Sequence, residues 1–214
     1  MNYSNSYIQS YKTCPLQCYL RYEVGLKKIE DEAAEHHVNW GSAIHEGLKR
    51  IYLGDTLESA VNAFKDAYPT QLDPDDHAKT QENGVTVLNA YLKRWSTEDK
   101  KWKVISVEDR ESFDYGQDDP FSVKPDLILE NIQFGGIYGL DHKTVGGKNA
   151  NLSYDFWGRF DPNSQITKYV SFIKFKYGDC SGFYINAIGV GFRQRAYKGE
   201  PAGFWCRFER QMFN

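Results

Sequence analysis

The 214-residue chain has no run of about eighteen apolar residues, the length a helix needs to span a bilayer. Nothing in it reads as a membrane segment. Its N-terminus is polar and lacks the apolar core of a signal peptide. Only four cysteines are present, and no two form a CxxC pair. Without a secretory signal, such a set suits a reducing, cytoplasmic compartment, where thiols or metal ligands are expected rather than disulfides. A basic excess is missing too. The net charge is −3, which does not advertise a nucleic-acid binder. Basic residues do gather locally, at Lys93, Arg94, Lys100, Lys101 and Lys103, at Lys168, Lys174 and Lys176, and at Arg193, Arg195 and Lys198. Each group is either a solvated face or a phosphate contact, and the solvated face is the commoner use. No internal repeat or linker interrupts the chain. Its length suits one domain over 1–214, mainly helical over 1–100 and sheet-containing over 101–214.

What is present centres on residues 121–144, FSVKPDLILENIQFGGIYGLDHKT. Val123, Leu127 and Leu129 alternate with other residues, and Ile137 and Leu140 are apolar. Together they predict two short strands. Asn131 and Gly135-Gly136 supply turn chemistry between them. Asp126 interrupts the first strand, and Asp141 and Lys143 stand near the end of the second. Strand side chains repeat every two residues, so Asp141 and Lys143 share a face. His142 points the other way, with its carbonyl available at the strand edge. Two carboxylates and a lysine beside an apolar hairpin are costly without compensation. An ion-pair network would supply it, with Lys143 neutralising the aspartates. So would a divalent cation, since Mg²⁺ prefers carboxylate and carbonyl oxygens and keeps several waters. The hairpin alone leaves both open.

In chain order, residues 6–23 predict one helix, or two around Pro15, capped by Ser4 or Ser6. Residues 30–35 read as a polar loop or a frayed helix. Residues 38–52 predict an amphipathic helix with Trp40, Ile44, Leu48 and Ile51 on one face, ended by Gly54. His45 adjoins that face. A lone histidine there is usually core, but Gly41 one turn earlier permits close approach by a metal site or another backbone. With the strand carboxylates in the same chain, His45 is a candidate metal ligand. Asp55-Thr56-Leu57-Glu58 resembles a capping box that opens a helix to Tyr68, and Pro74-Asp75-Asp76 opens another carrying Val85, Leu88, Leu92 and Trp95. Residues 102–115 return to strand character. Residues 145–160 read as a loop whose Tyr154, Phe156, Trp157 and Arg159 either pack or stack on and clamp a single strand. Asp161-Pro162 opens a helix to Tyr177, with Ile166, Val170, Ile173 and Tyr177 as its buried stripe. Gln165 and Tyr169, four apart, share a neighbouring face. Residues 183–190 and 204–208 predict the last strands.

Pro125-Asp126 followed by Asp141-His142-Lys143 resembles the PD-(D/E)xK signature. Gly41-Ser42-Ala43-Ile44-His45 resembles a GxxxH helix, and Gln165 to Tyr169 resembles a QxxxY helix. The opening SNSYIQSYKTCPLQCYLRYEVGL, with Cys14-Pro15, completes the set. In this order they resemble the RecB-type branch of the restriction-endonuclease-like nucleases, and they cover most of the chain.

The resemblance implies an α/β fold, with a central mixed sheet flanked by helices and an N-terminal helical region. It implies Mg²⁺ or Mn²⁺ held by His45, Asp126, Asp141 and the backbone carbonyl of His142. Lys143 would orient the attacking water, and Gln165 and Tyr169 would position the water or the phosphate. A glutamate is often found on the strand before the hairpin. Glu111 is the better positional match and Glu108 the alternative, and a solvated strand glutamate remains equally open. The implied substrate is DNA, as single strands or duplex ends, contacted by Tyr154, Trp157, Arg159 and Lys168. Some relatives bind an iron-sulfur cluster through the Cys-Pro cysteine and a tight C-terminal cysteine group. Here only Cys180 and Cys206 lie there, far apart, so buried thiols and no cluster are expected. Relatives often carry another helix after the last strand, so a minimal version is expected. The implied role is an exonuclease of phage recombination, repair or CRISPR adaptation, in a bacterial or phage-infected cell. The rival is a catalytically inactive nucleic-acid-binding or scaffold relative, but such relatives usually lose the lysine or a carboxylate.

Overall fold

The structure is a computed structural model that describes residues 4–26, 32–69, 76–114, 120–147, 150–196 and 198–213, with backbone alone for 32–36. Helix α1 (Asn5–Thr13) is capped by Ser4, whose hydroxyl accepts from the Tyr7 N–H at 3.1 Å. Pro15 opens a short α2 (Pro15–Cys18), which continues as a π-helical turn over Tyr19–Glu23. Helix α3 (Glu32–Tyr52) starts earlier than its apolar stripe predicts, and Gly54 follows it with φ 85°. Trp40, Ala43, Ile44 and Leu48 on α3 are fully buried. Helix α4 (Leu57–Ala67) is capped by Thr56, whose hydroxyl accepts from the Ser59 N–H at 3.2 Å, one residue after the Asp55 start of the predicted capping box. Helix α5 (Gln81–Trp95) departs from the sequence reading. Its cap is Thr80, while Pro74 and Asp75 lie outside the described residues.

The sheet combines β1 (Trp102–Val107), β4 (Leu127–Asn131), β5 (Ile137–Val145), β6 (Gly182–Arg193) and β7 (Gly203–Phe213), in the order β1-β4-β5-β6-β7. β5 and β6 run parallel and the other pairs antiparallel. β2 (Glu111–Phe113) and β3 (Phe121–Val123) pair separately as a small ribbon. Within the β4–β5 hairpin, the Asn131 side chain accepts from the N–H groups of Gln133 and Phe134, both at 3.0 Å. Gly135 and Gly136 supply the positive φ that this turn requires.

The parallel β5–β6 pair requires a crossover. It is made by α6 (Tyr154–Trp157), a 3-10 turn and α7 (Ser164–Tyr177). Residues 145–160 are therefore partly helical, and Phe156, Trp157 and Phe160 belong to the core. Helix α7 is capped by Asn163, which accepts from the N–H groups of Gln165 and Ile166. The predicted start at Asp161-Pro162 is thus corrected by two residues, because the Asn163 side chain satisfies the first free amides.

Strand alternation divides the core between the two faces of the sheet. Ile188 and Val190 pack under α3, α4 and α5, while Phe183, Ile185 and Ala187 pack under α7 and the small ribbon. The result is an α/β architecture with a mixed five-stranded sheet, helices on both faces and an N-terminal helical region, as the restriction-endonuclease-like expectation has it. All four cysteines are free, with Cys18 and Cys180 buried. Among the described residues no helix is long and apolar enough to cross a membrane.

Candidate active site

The end of the β4–β5 hairpin brings together side chains from four segments. His45 comes from α3, Glu108 from the residue after β1, Asp126 from the residue before β4, and Asp141 and Lys143 from β5. Except for Asp141, all of them line a cleft of about 630 Å³. His45, Glu108 and Asp126 each offer one ligand atom, and the three atoms lie within 4.8 Å of one another. Gly41 makes this approach possible, since a Cβ there would sit 2.7 Å from Thr144 Oγ1. The α3 backbone can therefore lie against the end of β5.

Asp126 is fixed from two sides. Its Oδ2 accepts from the His142 backbone N–H at 2.7 Å and lies 3.4 Å from His45 Nδ1. Its backbone carbonyl accepts from the Glu108 N–H at 2.9 Å, which extends the β1–β4 pairing up to the site. Lys143 Nζ lies 2.5 Å from Asp141 Oδ2, although the pair misses hydrogen-bond geometry and leaves that buried oxygen without a hydrogen bond. The Glu108 carboxylate meets Lys124 at 2.7 Å and Lys49 at 3.8 Å.

Two carboxylates in one buried pocket cannot both ionise easily. Burial, and next the charge of Asp126, pushes Asp141 up to about 6. Burial acts upward on Asp126 too, but His45 and then the His142 N–H outweigh it and hold Asp126 at about 2. Burial lowers His45, yet its hydrogen bond and charge contact with Asp126 leave it raised. Lys143 is also raised, because Asp141 outweighs its desolvation. The donor set suits a hard divalent cation. It combines the carboxylates of Glu108 and Asp126 with the His45 imidazole, and the buried Asp141 carboxylate lies beside them against Lys143.

His142 is braced from behind. Burial drops its ring to about 3, so it stays neutral. Its Nδ1 lies 3.1 Å from the Asn186 amide, which donates also to Tyr91 Oη. The Tyr91 hydroxyl meets that of Tyr52 at 2.7 Å. Tyr52 in turn donates to Asp99 at 2.7 Å, and Asp99 accepts from Arg210 at 2.7 Å. This chain ties α3, α5, β6 and β7 to the strand segment that anchors Asp126. Its members are scattered along the sequence, and no spacing marks them.

The sequence candidates separate into two groups. His45, Asp126, Asp141 and Lys143 come together. Gln165 donates to Tyr169 Oη at 3.0 Å, and Tyr169 donates to the Lys124 carbonyl at 3.0 Å, so this pair holds the backbone just before Pro125-Asp126. Glu111 stays outside. It lies on the separate β2–β3 ribbon and pairs with Lys176 of α7, while Glu108 is the glutamate beside His45 and Asp126. None of Tyr154, Trp157, Arg159 and Lys168 lines the cleft. Trp157 is 8% exposed and stacks on Phe213, which corrects its reading as a surface for bases. Tyr154 is exposed, Arg159 lies over the Phe156 ring, and Lys168 lies over the Phe121 ring.

A direct comparison of the two glutamates follows. Glu108→Gln is expected to weaken Mn²⁺ binding roughly tenfold or more, on the scale of losing one supporting group at a metal site. Glu111→Gln is expected to leave it unchanged. Calorimetric titration of both variants checks this, and a loss confined to Glu111→Gln would reverse the assignment.

A sequence model of the PD-(D/E)XK nuclease superfamily matches residues 2–185. The chain belongs to this superfamily, whose members use divalent metals. Among solved structures, the crystal structure of a "putative exonuclease" from Eubacterium rectale is similar, with a TM-score of 0.56 at 12% identity. The match covers 100% of this chain and 73% of that one, and at this identity the likeness concerns the fold alone. No curated protein matched.

Proposed function

We propose that the chain is a divalent-metal-dependent deoxyribonuclease of the RecB-type branch, one domain over 1–214, that hydrolyses DNA from its ends in recombination, repair or phage DNA processing. One observation carries this reading. His45, Glu108, Asp126, Asp141 and Lys143, distant in sequence, meet at the end of one hairpin.

In this reading His45, Glu108, Asp126, Asp141 and the His142 carbonyl hold Mg²⁺ or Mn²⁺. A cation held there would supply polarisation of a phosphoryl oxygen and a water of lowered pKa. Lys143, half-buried beside Asp141 and lining the cleft, orients the attacking water and meets the negative charge that develops on the phosphate. Gln165 and Tyr169 hold the segment that carries Asp126 and so fix that carboxylate. The rate derives from positioning and electrostatics, and no covalent intermediate is needed.

Helix α3 walls one side of the cleft and the hairpin the other. A walled cleft admits a single strand more readily than a duplex, and threading needs a free end. The test compares linear single-stranded DNA with covalently closed circles in Mg²⁺ or Mn²⁺, with an EDTA control. Linear DNA is expected to disappear, circles to persist, and EDTA to stop the reaction. Equal loss of circles would remove the end requirement. Intact linear DNA in the presence of metal would remove the nuclease reading itself.

A further inference from the structure

The catalytic cleft does not end at Lys143. A second depression, lined by His77, Gly146, Gly147, Phe192 and Trp205, lies beyond the C-terminal ends of the parallel pair β5 and β6. Both hollows are lined by His37 and Lys79, so they meet there. Glycines keep the way open. A Cβ on Gly146 would sit 3.4 Å from Lys79 Cε, and one on Gly191 would sit 2.6 Å from the Trp205 indole. Lys79 therefore packs against the Gly146 backbone at the junction, and the Trp205 indole packs against Gly191 of β6.

The chemistry along this path is mixed. The rings of His77 and Phe192 are 5.3 Å apart, and Phe192 is 45% exposed. The Arg193 guanidinium lies 4.8 Å from the Trp205 ring centre. Lys79 is half-buried, and among the described residues its ammonium has no carboxylate at ion-pair distance. Asp76, close by in sequence, is engaged with His37 at 3.4 Å, and its other oxygen accepts from the N–H groups of Ala78 and Lys79. Lys124 and Lys143, which line the catalytic cleft, are both paired to carboxylates. Burial lowers the Lys79 pKa, and the charge of Asp76 opposes it only in part. Aromatic faces interleaved with cations are what a single nucleic-acid strand stacks on and tracks along.

We propose that a single strand of DNA leaves the catalytic cleft across Lys79, which holds a backbone phosphate, and that the next bases stack on Phe192. This rests on the nuclease reading, and it moves the strand path away from the α6–α7 side that the sequence suggested.

The test is binding of a fluorescein-labelled single-stranded oligonucleotide in chelator, followed by anisotropy, with hydrolysis in Mn²⁺ measured separately. Phe192→Ala is expected to raise Kd roughly tenfold, within the range for losing one base-stacking ring. Lys79→Ala is expected to reduce the slope of log affinity against log salt by about 0.7, the loss of one phosphate contact on a single strand. Phe134→Ala, at the exposed β4–β5 turn, is expected to bind as wild type. Thermal melts verify folding, and Phe192→Leu, which keeps bulk and removes the ring, replaces Phe192→Ala if that variant does not fold. If Phe192 and Lys79 variants bind as wild type while wild type hydrolyses DNA, the path is wrong and the nuclease reading stands. If wild type neither binds nor hydrolyses DNA, both fall.

Discussion

Lys143→Ala is expected to fold normally and to hydrolyse DNA on the order of 10²–10³-fold more slowly than wild type, the usual cost of losing one preorganised stabilising donor. The ammonium sits at the end of β5, half-buried, against Asp141 and facing the cleft. There it can meet charge that forms only as the phosphate reacts, so the loss belongs in kcat. The fold survives because Asp141, already pushed up to about 6, can take a proton once its partner is gone. No buried charge is then stranded. Initial rates on single-stranded DNA in Mn²⁺, beside a thermal melt, check both halves. A variant with wild-type turnover would end the assignment of Lys143.

Asp141→Asn is expected to abolish hydrolysis and, in the absence of metal, to stabilise the protein at pH 8. The folded-state pKa of about 6 lies above that of a free carboxyl, so the fold binds the Asp141 proton more tightly than the unfolded chain does. The ionised form therefore costs stability, on the order of 2–3 kcal/mol for a shift of about two pKa units at a buried site. That cost is fully present above pH 6. It shrinks as the folded protein takes up the proton between about 6 and 4, and it is gone below the ordinary carboxyl pKa. Asparagine stands in for the neutral acid at every pH. The variant should thus melt several degrees above wild type at pH 8, with the difference closing by about pH 4. Mn²⁺ should reverse the order by stabilising wild type alone. This separates the two compensations that the hairpin sequence leaves open. A metal site predicts that Mn²⁺ reverses the order, whereas a structural ion pair predicts that Mn²⁺ leaves it unchanged.

The hairpin carried most of what the sequence revealed. Period-two alternation put Asp141 and Lys143 on one face, and they do meet. Asn131, Gly135 and Gly136 specified a turn whose hydrogen bonds are local. Gly41 and His45 were legible as a pair because the missing Cβ and the imidazole act on one helix face. The glutamate stayed open between Glu111 and Glu108 for a definite reason. Pairing of β1 with β4 shifts register between Val104 and Ser106, and Glu108 takes φ 52°. Neither feature is marked in the sequence, and Glu111, the better positional match, falls on the ribbon with β3. Residues 154–160 misled through composition. Aromatics between two strands suit either a stacking surface or a crossover core, and here Phe156, Trp157 and Phe160 fill the space under α7. The Asn186–Tyr91–Tyr52–Asp99–Arg210 chain was not legible at all, because each link depends on the tertiary fold.

The central claim is that this cleft holds the catalytic cation. Anomalous diffraction from a crystal grown with Mn²⁺ tests it most directly. The account predicts a manganese peak coordinated by His45, Glu108, Asp126 and Asp141, with Lys143 close by. A peak elsewhere, or none here while the same preparation hydrolyses DNA in Mn²⁺, would contradict it.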